Sequence, residues 1–277
     1  MTLVVVLDMD PREDRISRII PSIQFYISAV GTGLAFPSQL EVAVIAAFPD
    51  KAETVAQGPW REVTDFNSNL QAAIQSRAKT LEQNVFESPI AQAISRGLCY
   101  IKKRKVEGHI VVFDCSSDPT DFTAQTVGLS NCGWASAGLA KISVVALGSA
   151  RPSSALLGLV SRTGGTFIPH QFTATTGALS QALLFHLVAP GIANLKVRPQ
   201  ETSQEMNASC VCHNRVVDKG YVCSICLSIY CSDAAGICSV CGSRIRREAK
   251  DELPVHSQVF TRLFTSSSVP VSENIFS

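Results

Sequence analysis

Short apolar runs alternate with longer segments of helical periodicity through the first 190 residues of the chain. The runs are rich in β-branched residues and show little polar alternation, which is typical of parallel strands buried on both faces. They cover Leu3–Leu7, Leu40–Phe48, His109–Asp114, Ile142–Leu147 and Thr166–Ile168. This order predicts an α/β fold with a doubly wound, mostly parallel sheet covered by helices on both faces.

Helices are predicted between these strands, because apolar residues recur there every three or four positions. The segments are Ile16–Val30, Asn67–Leu81, Ile90–Ile101, Thr120–Gly138, Ser153–Ser161 and Gly177–Val188. Pro21 lies within the first of them and either kinks that helix or starts its main part. Ser88 and Pro89 precede the third, where a serine N-cap followed by a first-turn proline predicts a helix start.

Seven of the ten cysteines lie in one stretch of thirty-two residues near the C-terminus. Within it, Cys223-Ser-Ile-Cys226 and Cys238-Ser-Val-Cys241 form two Cys-x-x-Cys pairs separated by eleven residues. A Cys-x-x-Cys turn can aim two thiolates at one ion, and structural zinc sites take four tetrahedral ligands. Cys223, Cys226, Cys238 and Cys241 are therefore predicted to bind one zinc ion in a closed site that stabilises the fold.

Four further donors in this stretch are candidates for a second zinc ion. If the ligand pairs interleave as in cross-brace modules, Cys210, Cys212 and Cys231 share that ion and His213 supplies the fourth ligand. The adjacent Cys212 and His213 can reach one ion only along an awkward backbone path. In the alternative interpretation, Cys231 belongs to the core, and Cys210 and Cys212 are free thiols.

A disulfide framework is the other interpretation of these cysteines, and it needs an oxidising compartment. The N-terminus has only a short apolar run before Asp8, without a basic start or a small-residue cleavage site, so no secretory signal is expected. Seven is also an odd number to pair, which favours zinc. Cys99, Cys115 and Cys132 lie in apolar sequence and are expected to be small buried residues.

Composition narrows the class of protein. The apolar fraction of 46% supports a substantial core, and the net charge of +1 argues against a general attraction to nucleic acid or anionic membranes. No apolar run approaches the roughly 20 residues that span a bilayer, so a soluble, intracellular protein without a membrane partner is expected.

The predicted organisation is an α/β domain at 1–190, a linker at 191–209, a cysteine-rich zinc-binding module at 210–247 and a tail at 248–277.

Aspartates follow the first predicted strand, where ligands bind in open α/β sheets. Asp8-Met-Asp10 resembles the Asp-x-Asp of haloacid dehalogenase phosphatases, but no Asp or Glu lies between Phe122 and Gln200 to supply their later acidic pair. As a metal-ion-dependent adhesion site, the loop is degenerate, because Arg12 stands where a serine belongs. A structural role, with Asp8 or Asp10 capping the following helix, is favoured. No catalytic residue and no small-molecule substrate are predicted, so the protein is not expected to be an enzyme.

The cysteine-rich stretch resembles a known family. The segment Gly220-Tyr-Val-Cys-Ser-Ile-Cys-Leu-Ser-Ile-Tyr-Cys231, with Cys210-Val-Cys-His213 before it and Ile237-Cys-Ser-Val-Cys241 after it, carries the resemblance. It is similar to the smaller of the two von Willebrand factor A-type, zinc-binding subunits in the core of the general transcription and DNA repair factor TFIIH. Gly97-Leu-Cys-Tyr-Ile101 and Thr163-Gly-Gly165 also resemble that family.

This resemblance implies a von Willebrand factor A-like domain in a non-catalytic scaffold subunit of a nuclear complex. Such a subunit would pair with the larger von Willebrand factor A/zinc subunit and other core subunits, and would associate indirectly with the XPD helicase and DNA. It would act in transcription initiation by RNA polymerase II and in nucleotide excision repair. The alternative is a zinc module that binds nucleic acid directly, but few aromatics are present to stack bases. The cations that could contact phosphate are Arg215, Lys219, Arg244, Arg246 and Arg247, and the aromatics are Tyr221 and Tyr230.

Overall fold

A six-stranded sheet forms the centre of the α/β region, with the strand order β3-β2-β1-β4-β5-β6. The computed structural model describes residues 1–9, 15–33, 40–81, 89–115, 125–147, 154–169, 175–188, 210–213, 217, 219–226, 228–231 and 236–244. The strands are β1 (Thr2–Asp8), β2 (Glu41–Ala47), β3 (Ala52–Pro59), β4 (Gly108–Asp114), β5 (Ala140–Ala146) and β6 (Phe167–Ile168). All neighbouring pairs are parallel except β2 and β3, which are antiparallel.

Helices follow the strands along the chain. They are α1 (Arg15–Gly31), α2 (Trp60–Val63), α3 (Asn67–Leu81), α4 (Ile90–Arg104), α5 (Thr126–Ala135), α6 (Ser154–Thr163) and α7 (Thr176–Leu183). α7 continues directly into a π-helical turn at Leu184–Val188. None of the described helices is long and apolar enough to cross a membrane.

Alternate residues of the central strands serve two separate cores. Leu3, Val5 and Leu7 of β1 point to a core on one face, which is completed by α1 and α7. Val4 and Val6 point to the other face, where α4, α5 and α6 pack. Every side chain of β1 is buried, which explains why this strand shows no polar alternation in the sequence.

The predicted strands and most predicted helices are confirmed to within a few residues, but strand β3 was not predicted. Its residues Ala52–Pro59 are half polar and contain Gly58 and Pro59. Such composition is tolerated only at a sheet edge, where β3 lies. The short helix α2 follows it at once, and both elements fill the chain between β2 and α3 that the sequence pattern left without structure.

Prolines shape two helices. α1 runs without a break through Pro21, whose ring is exposed. At the start of α4, Pro89 is the N-cap residue and Ile90 the first helical residue, so the predicted placement of Pro89 in the first turn is wrong by one position. Ser88 lies outside the described residues.

The arrangement of the sheet, with helices on both faces and an antiparallel strand beside β2, is von Willebrand factor A-like. The α/β elements end with the π-helical turn at Val188, and the next described residue is Cys210. The domain boundaries at 190/191 and 209/210 stay predictions, because the residues between Val188 and Cys210 lie outside the described part of the chain.

Candidate metal centres

The two Cys-x-x-Cys segments fold into two equivalent turns. In each turn the N–H of the first cysteine donates to a carbonyl five residues later: Cys223 to Ser228 at 2.9 Å and Cys238 to Ser243 at 2.8 Å. The strands β7 (Tyr221–Val222) and β8 (Ile229–Tyr230) flank the first turn, and an isolated bridge between Ile237 and Arg244 flanks the second. The repeated hydrogen bonds give both turns the same local geometry.

The sulfurs of these two turns converge in a group that we call the first cluster, which comprises Cys223, Cys226, Cys238 and Cys241. Their ligand atoms all lie within 4.8 Å of one another. Cys223 Sγ is 3.7 Å from Cys241 Sγ, and Cys226 Sγ is 3.6 Å from Cys238 Sγ. A tetrahedral zinc ion with Zn–S bonds of about 2.3 Å requires sulfurs about 3.8 Å apart. The spacing of the first cluster therefore fits that ion.

Hydrogen bonds within each turn favour the thiolate form of its first cysteine. Burial raises the pKa of Cys223, but hydrogen bonds from the backbone N–H of Cys226, the Ser243 hydroxyl and the N–H of Ile225 outweigh it and lower the pKa to about 6. For Cys238, burial likewise raises the pKa, whereas the Tyr230 hydroxyl and the N–H groups of Cys241 and Val240 lower it, with a net decrease. The first cysteine of each turn is thus the thiol whose pKa is lowered.

The thiol of Cys226 is held in the neutral form by burial and by its neighbouring sulfurs. The pKa of Cys226 is raised to about 12 by burial and by the neighbouring Cys238 and Cys241 sulfurs, although bonds with Ser228 oppose the rise. Four thiolates cannot ionise together at this distance without a compensating cation. A divalent metal would supply that charge, because a coordinating thiol is deprotonated outright. The chemistry of the donor set therefore agrees with its geometry.

The second cluster comprises Cys210, Cys212, His213 and Cys231, whose ligand atoms also lie within 4.8 Å of one another. His213 Nδ1 is 3.2 Å from Cys231 Sγ and 3.9 Å from Cys210 Sγ, and Cys212 Sγ is 3.4 Å from Cys231 Sγ. A turn at residues 211–213 directs the adjacent Cys212 and His213 side chains to the same point. From the sequence, adjacent residues were expected to reach one ion only along an awkward backbone path. The chain adopts such a path, and none of its described residues has a positive φ angle.

The two clusters differ in exposure and share one chain path. Cys223 and Cys238 of the first cluster are buried, whereas Cys212 and His213 of the second are exposed. Along the chain, Cys210, Cys212 and His213 of the second cluster come first and are followed by Cys223 and Cys226 of the first cluster. Cys231 then completes the second cluster, and Cys238 and Cys241 complete the first. The ligand groups interleave as in a cross-brace. None of these seven cysteines forms a disulfide, and the Cys212 and Cys231 sulfurs, 3.4 Å apart, are far from the roughly 2.05 Å of a disulfide bond.

Tyr230 contributes to the clusters in a way that the sequence reading missed. Its side chain is 3% exposed, and its hydroxyl lies 3.0 Å from Cys238 Sγ and accepts from the N–H of Ser239 at 3.1 Å. Tyr230 is thus a contact of the first cluster, and it directly precedes Cys231 of the second. It is unavailable as a base-stacking aromatic. The sequence signal for this contact was the position of Tyr230 directly before the candidate ligand Cys231. The nearby Tyr221 is 54% exposed.

Buried aspartates lie at the carboxyl edge of the sheet, where Asp8 ends β1 and Asp114 ends β4. Asp8 is 1% exposed, and its Oδ2 accepts a hydrogen bond of 3.0 Å from the N–H of Cys115. This bond supports the structural interpretation of Asp8, but its donor is the backbone after β4 rather than the N-terminus of α1. Asp10 and Arg12 lie outside the described residues, so the adhesion-site comparison ends there.

The remaining cysteines and His109 have structural or surface positions in the described part of the chain. Cys115 and Cys132 are buried as expected, but Cys99 is exposed, so its predicted burial is wrong. It lies one position beyond the buried Leu98 of α4, on the side of the helix that faces solvent. His109 Nε2 is 2.8 Å from Ser143 Oγ, which joins β4 to β5.

The fold and the clusters together define a von Willebrand factor A-like protein with a C-terminal cysteine-rich module that could hold metal ions. The family model for transcription factor Tfb4 matches residues 59–242, which include strands β4, β5 and β6 and every residue of both clusters. This chain belongs to that family.

Relatives along most of the chain carry corresponding names. The chain is 24% identical to the general transcription and DNA repair factor IIH subunit tfb4 of Schizosaccharomyces pombe, covering 89% of each. It is 30% identical to the general transcription factor IIH subunit 3 of Dictyostelium discoideum, over 64% of this chain and 50% of that one. The crystal structure of the TFIIH p34 N-terminal domain matches with a TM-score of 0.52 at 20% identity, over 66% of this chain and 96% of that one. The last similarity concerns the fold alone.

Proposed function

We propose that this protein is a non-catalytic scaffold subunit of the TFIIH core, acting in transcription initiation by RNA polymerase II and in nucleotide excision repair. Membership of the Tfb4 family carries the proposal, because relatives over most of the chain are named as TFIIH subunits in organisms as distant as Schizosaccharomyces pombe and Arabidopsis thaliana. TFIIH acts in the nucleus, which is therefore the proposed location.

Two zinc ions per chain are part of this proposal. Cys223, Cys226, Cys238 and Cys241 hold the first ion, and the second cluster holds the other. The spacing of the sulfurs and the two depressed thiol pKa values support the first site. The convergence of three sulfurs and an imidazole supports the second. Zinc supplies folding free energy to such modules, because the ligands alone bury few apolar residues.

The proposed partners are the larger von Willebrand factor A/zinc subunit and other core subunits of TFIIH. Association with the XPD helicase and with DNA is indirect, through those subunits. Exposed apolar side chains on both parts of the molecule support function through protein contacts. They include Trp134 and Phe185 in the α/β region, and Ile225 and Ile237 beside the first cluster.

Purification of the tagged full chain from nuclear extract tests the proposal. The expected result is co-purification of the TFIIH core, with the larger zinc-bearing subunit in equal amount. Cys226→Ser, which removes a ligand of the first cluster, is expected to reduce this recovery, whereas Cys99→Ser on the surface of α4 is the matched control and is expected not to. Recovery of the chain without any TFIIH subunit contradicts the proposal.

An enzyme is disfavoured by the state of the strand-end aspartate. A nucleophilic carboxylate must face its substrate, but Asp8 is buried and bonded to the Cys115 N–H. The Asp8→Ala variant is expected to assemble with its partners normally. Magnesium-dependent turnover of a generic phosphate ester by the full chain, abolished by Asp8→Ala, would overturn the non-catalytic assignment.

Direct nucleic-acid binding by the cysteine-rich module is the alternative function. Lys219 and Arg244 are exposed in the described part of the module, and the exposed Tyr221 is two residues from Lys219. Binding of DNA by the isolated protein, with an affinity that falls steeply as salt is raised, would favour this alternative. Weak binding without a salt-dependent specific component favours the scaffold.

A further inference from the structure

A cavity of about 1020 Å³ opens at the edge of the sheet opposite to Asp8 and Asp114. Its walls include Gly108 and His109 at the start of β4, Ala140 and Lys141 at the start of β5, and Thr166 just before β6. We call it the amino-edge cavity. It is separate from both metal clusters and from the carboxyl edge, so neither of the sites described above accounts for it.

Glycine-dependent turns shape the mouth of the amino-edge cavity. Gly138, between α5 and β5, has a φ angle of +68°, and Gly164, after α6, has a φ angle of +66°. A Cβ on the adjacent Gly165 would lie 1.8 Å from the carbonyl oxygen of Ile142. These residues hold the two turns in conformations that other residue types adopt poorly. The opening is therefore built into the backbone and does not depend on side-chain rotamers.

Positive charge dominates the rim of the cavity. Lys141 and Arg162 are exposed, and Glu107 is the one acidic residue among the described residues that line it. Burial and the nearby Lys141 ammonium lower the pKa of His109 to about 4, and burial lowers the pKa of His186. Both imidazoles are therefore neutral near pH 7. Lys102 and Lys103, in the last turn of α4, add charge at the same edge of the sheet.

Exposed apolar side chains adjoin the charged rim. Val106 lines the cavity and is 44% exposed, and Trp134 on α5 is 66% exposed. Arg162 connects the two features, because it lines the cavity and its guanidinium carbon lies 4.5 Å from the centroid of the Trp134 ring. A bond of 3.3 Å to Ser130 Oγ also fixes it. Tryptophan and arginine held in place in this way are typical centres of protein–protein binding energy.

We propose that the amino-edge cavity binds a short acidic peptide segment of a partner protein, with an apolar side chain inserted in the cavity and carboxylates paired with Lys141 and Arg162. The two fixed cations supply complementary charge, and the cavity supplies a recess for the apolar anchor. The proposal goes beyond the TFIIH assignment and does not depend on metal in either cluster.

A peptide fits this surface better than nucleic acid. A nucleic acid needs a continuous line of cations and exposed aromatic faces for its bases. Here Lys141 and Arg162 flank a recess, Lys102 and Lys103 are not among the residues that line it, and one face of Trp134 is already covered by Arg162. A peptide with alternating acidic and apolar residues uses both the charges and the recess.

Fluorescence anisotropy with the full chain tests the proposal. The probe is a fluorescein-labelled peptide, Asp-Glu-Asp-Phe-Asp-Leu-amide, and its comparison is the same peptide with amides in place of every carboxylate. Saturable binding of the acidic probe is expected. Lys141→Glu with Arg162→Glu is expected to weaken it by about tenfold or more, because each reversal replaces attraction by repulsion. Lys51→Glu with Arg96→Glu, two exposed cations away from the cavity, is the matched control and is expected to have little effect.

The apolar half of the proposal needs its own variant. Ala137→Trp places a large side chain at the exposed rim and is expected to weaken binding without a change in charge. Thermal melting shows that each variant is folded, and Lys141→Glu alone replaces the double variant if Arg162→Glu unfolds the chain. The proposal is overturned by absence of saturable binding at millimolar peptide, by equal binding of the neutral peptide, or by equal losses in the control variant. Tighter binding of an oligothymidylate at the same residues assigns the surface to nucleic acid instead.

Discussion

Gly165 occupies the position where the chain leaving α6 passes closest to β5. Because an added Cβ would lie 1.8 Å from the Ile142 carbonyl oxygen, Gly165→Ala must displace backbone on one side or the other. The variant is expected to lose about 1–3 kcal/mol of stability, the usual cost of overpacking. Gly158→Ala in α6 is the matched control. A Cβ there meets nothing within 4 Å, so a gain of about 0.5–1 kcal/mol is expected from helix propensity. Urea unfolding measures the free energy of unfolding of both variants. Equal values for Gly165→Ala and Gly158→Ala would contradict the close contact at Gly165.

His109 makes the stability of the α/β domain dependent on pH. Its pKa is about 4 in the folded protein and 6.5 in an unfolded chain, because burial and Lys141 disfavour the imidazolium. Between these values the unfolded chain binds a proton that the folded chain does not. The contribution of His109 to the free energy of unfolding is therefore fully present above pH 6.5. It falls as the pH drops toward 4, with a slope of up to about 1.4 kcal/mol per pH unit.

The His109→Gln variant is expected to remove this contribution. Its denaturation midpoint at pH 7 changes little, but the loss between pH 6.5 and pH 4 becomes shallower than in the original chain. Loss of any bound metal at low pH affects both proteins equally, because the two clusters are unchanged in the variant. The difference between the two pH profiles therefore reports on His109. Identical pH profiles would show that His109 titrates normally.

At the scale of elements, strands and ligands differ in what the sequence can reveal. β1 and β4 are recognisable because burial on both faces makes their central positions, Leu3–Leu7 and Ile110–Phe113, continuously apolar. β3 is not, because an edge strand has one partner and tolerates Gly58 and Pro59. The grouping of both sets of candidate ligands agrees with the spacing and the cross-brace analogy used in the sequence analysis. The bond from Tyr230 to Cys238 was not, since a tyrosine beside a ligand shows no periodicity that distinguishes a buried contact from an exposed one.

The two clusters of the module should respond separately to loss of a ligand. Cys226→Ser removes one of four ligands from the first cluster, and Cys231→Ser removes one from the second. Each variant is expected to lose about one zinc ion per chain, because a closed structural site needs all four ligands. Cys226→Ser should also lose the pairing of β7 with β8, which flanks the first cluster.

Elemental analysis of the purified chains measures the zinc content, and Cys99→Ser serves as the control that keeps both ions. Two ions in the original chain and one in Cys231→Ser agree with two sites. One ion in both of them would mean that the second cluster does not bind metal. None in the original chain would overturn the zinc proposal for the whole module.

For the molecule as a whole, the sequence predicted the architecture better than the surfaces. The α/β region followed from periodicity, and the Tfb4 family followed from the cysteine motifs. The amino-edge cavity could not be foreseen, because its walls come from segments as distant as Val106 and Leu187. Their proximity depends on the strand order, which local sequence patterns do not encode.

The isolated full chain is expected to self-associate. Large apolar side chains are exposed on both parts of the molecule, from Phe25 of α1 to Ile237 of the module. Contiguous exposed apolar surface in a soluble protein usually lies in an interface with a partner. Light scattering should show association that grows with concentration, and co-expression with the larger zinc-bearing subunit should yield a monodisperse complex. A monodisperse monomer at high concentration would count against this expectation.

The interleaved ligands impose an order on biosynthesis. A ribosome releases Cys231 ten residues before Cys241, so the second cluster has its full donor set while the first still lacks its last thiol. At about 5–20 residues per second, this interval lasts on the order of one second. During it, Cys223 and Cys226 are nascent thiols without their native partners, next to the complete donor set of the second cluster. On the two-zinc proposal, correct assembly therefore depends on how quickly a wrongly bound ion can move between thiolates before the last turn of the module emerges.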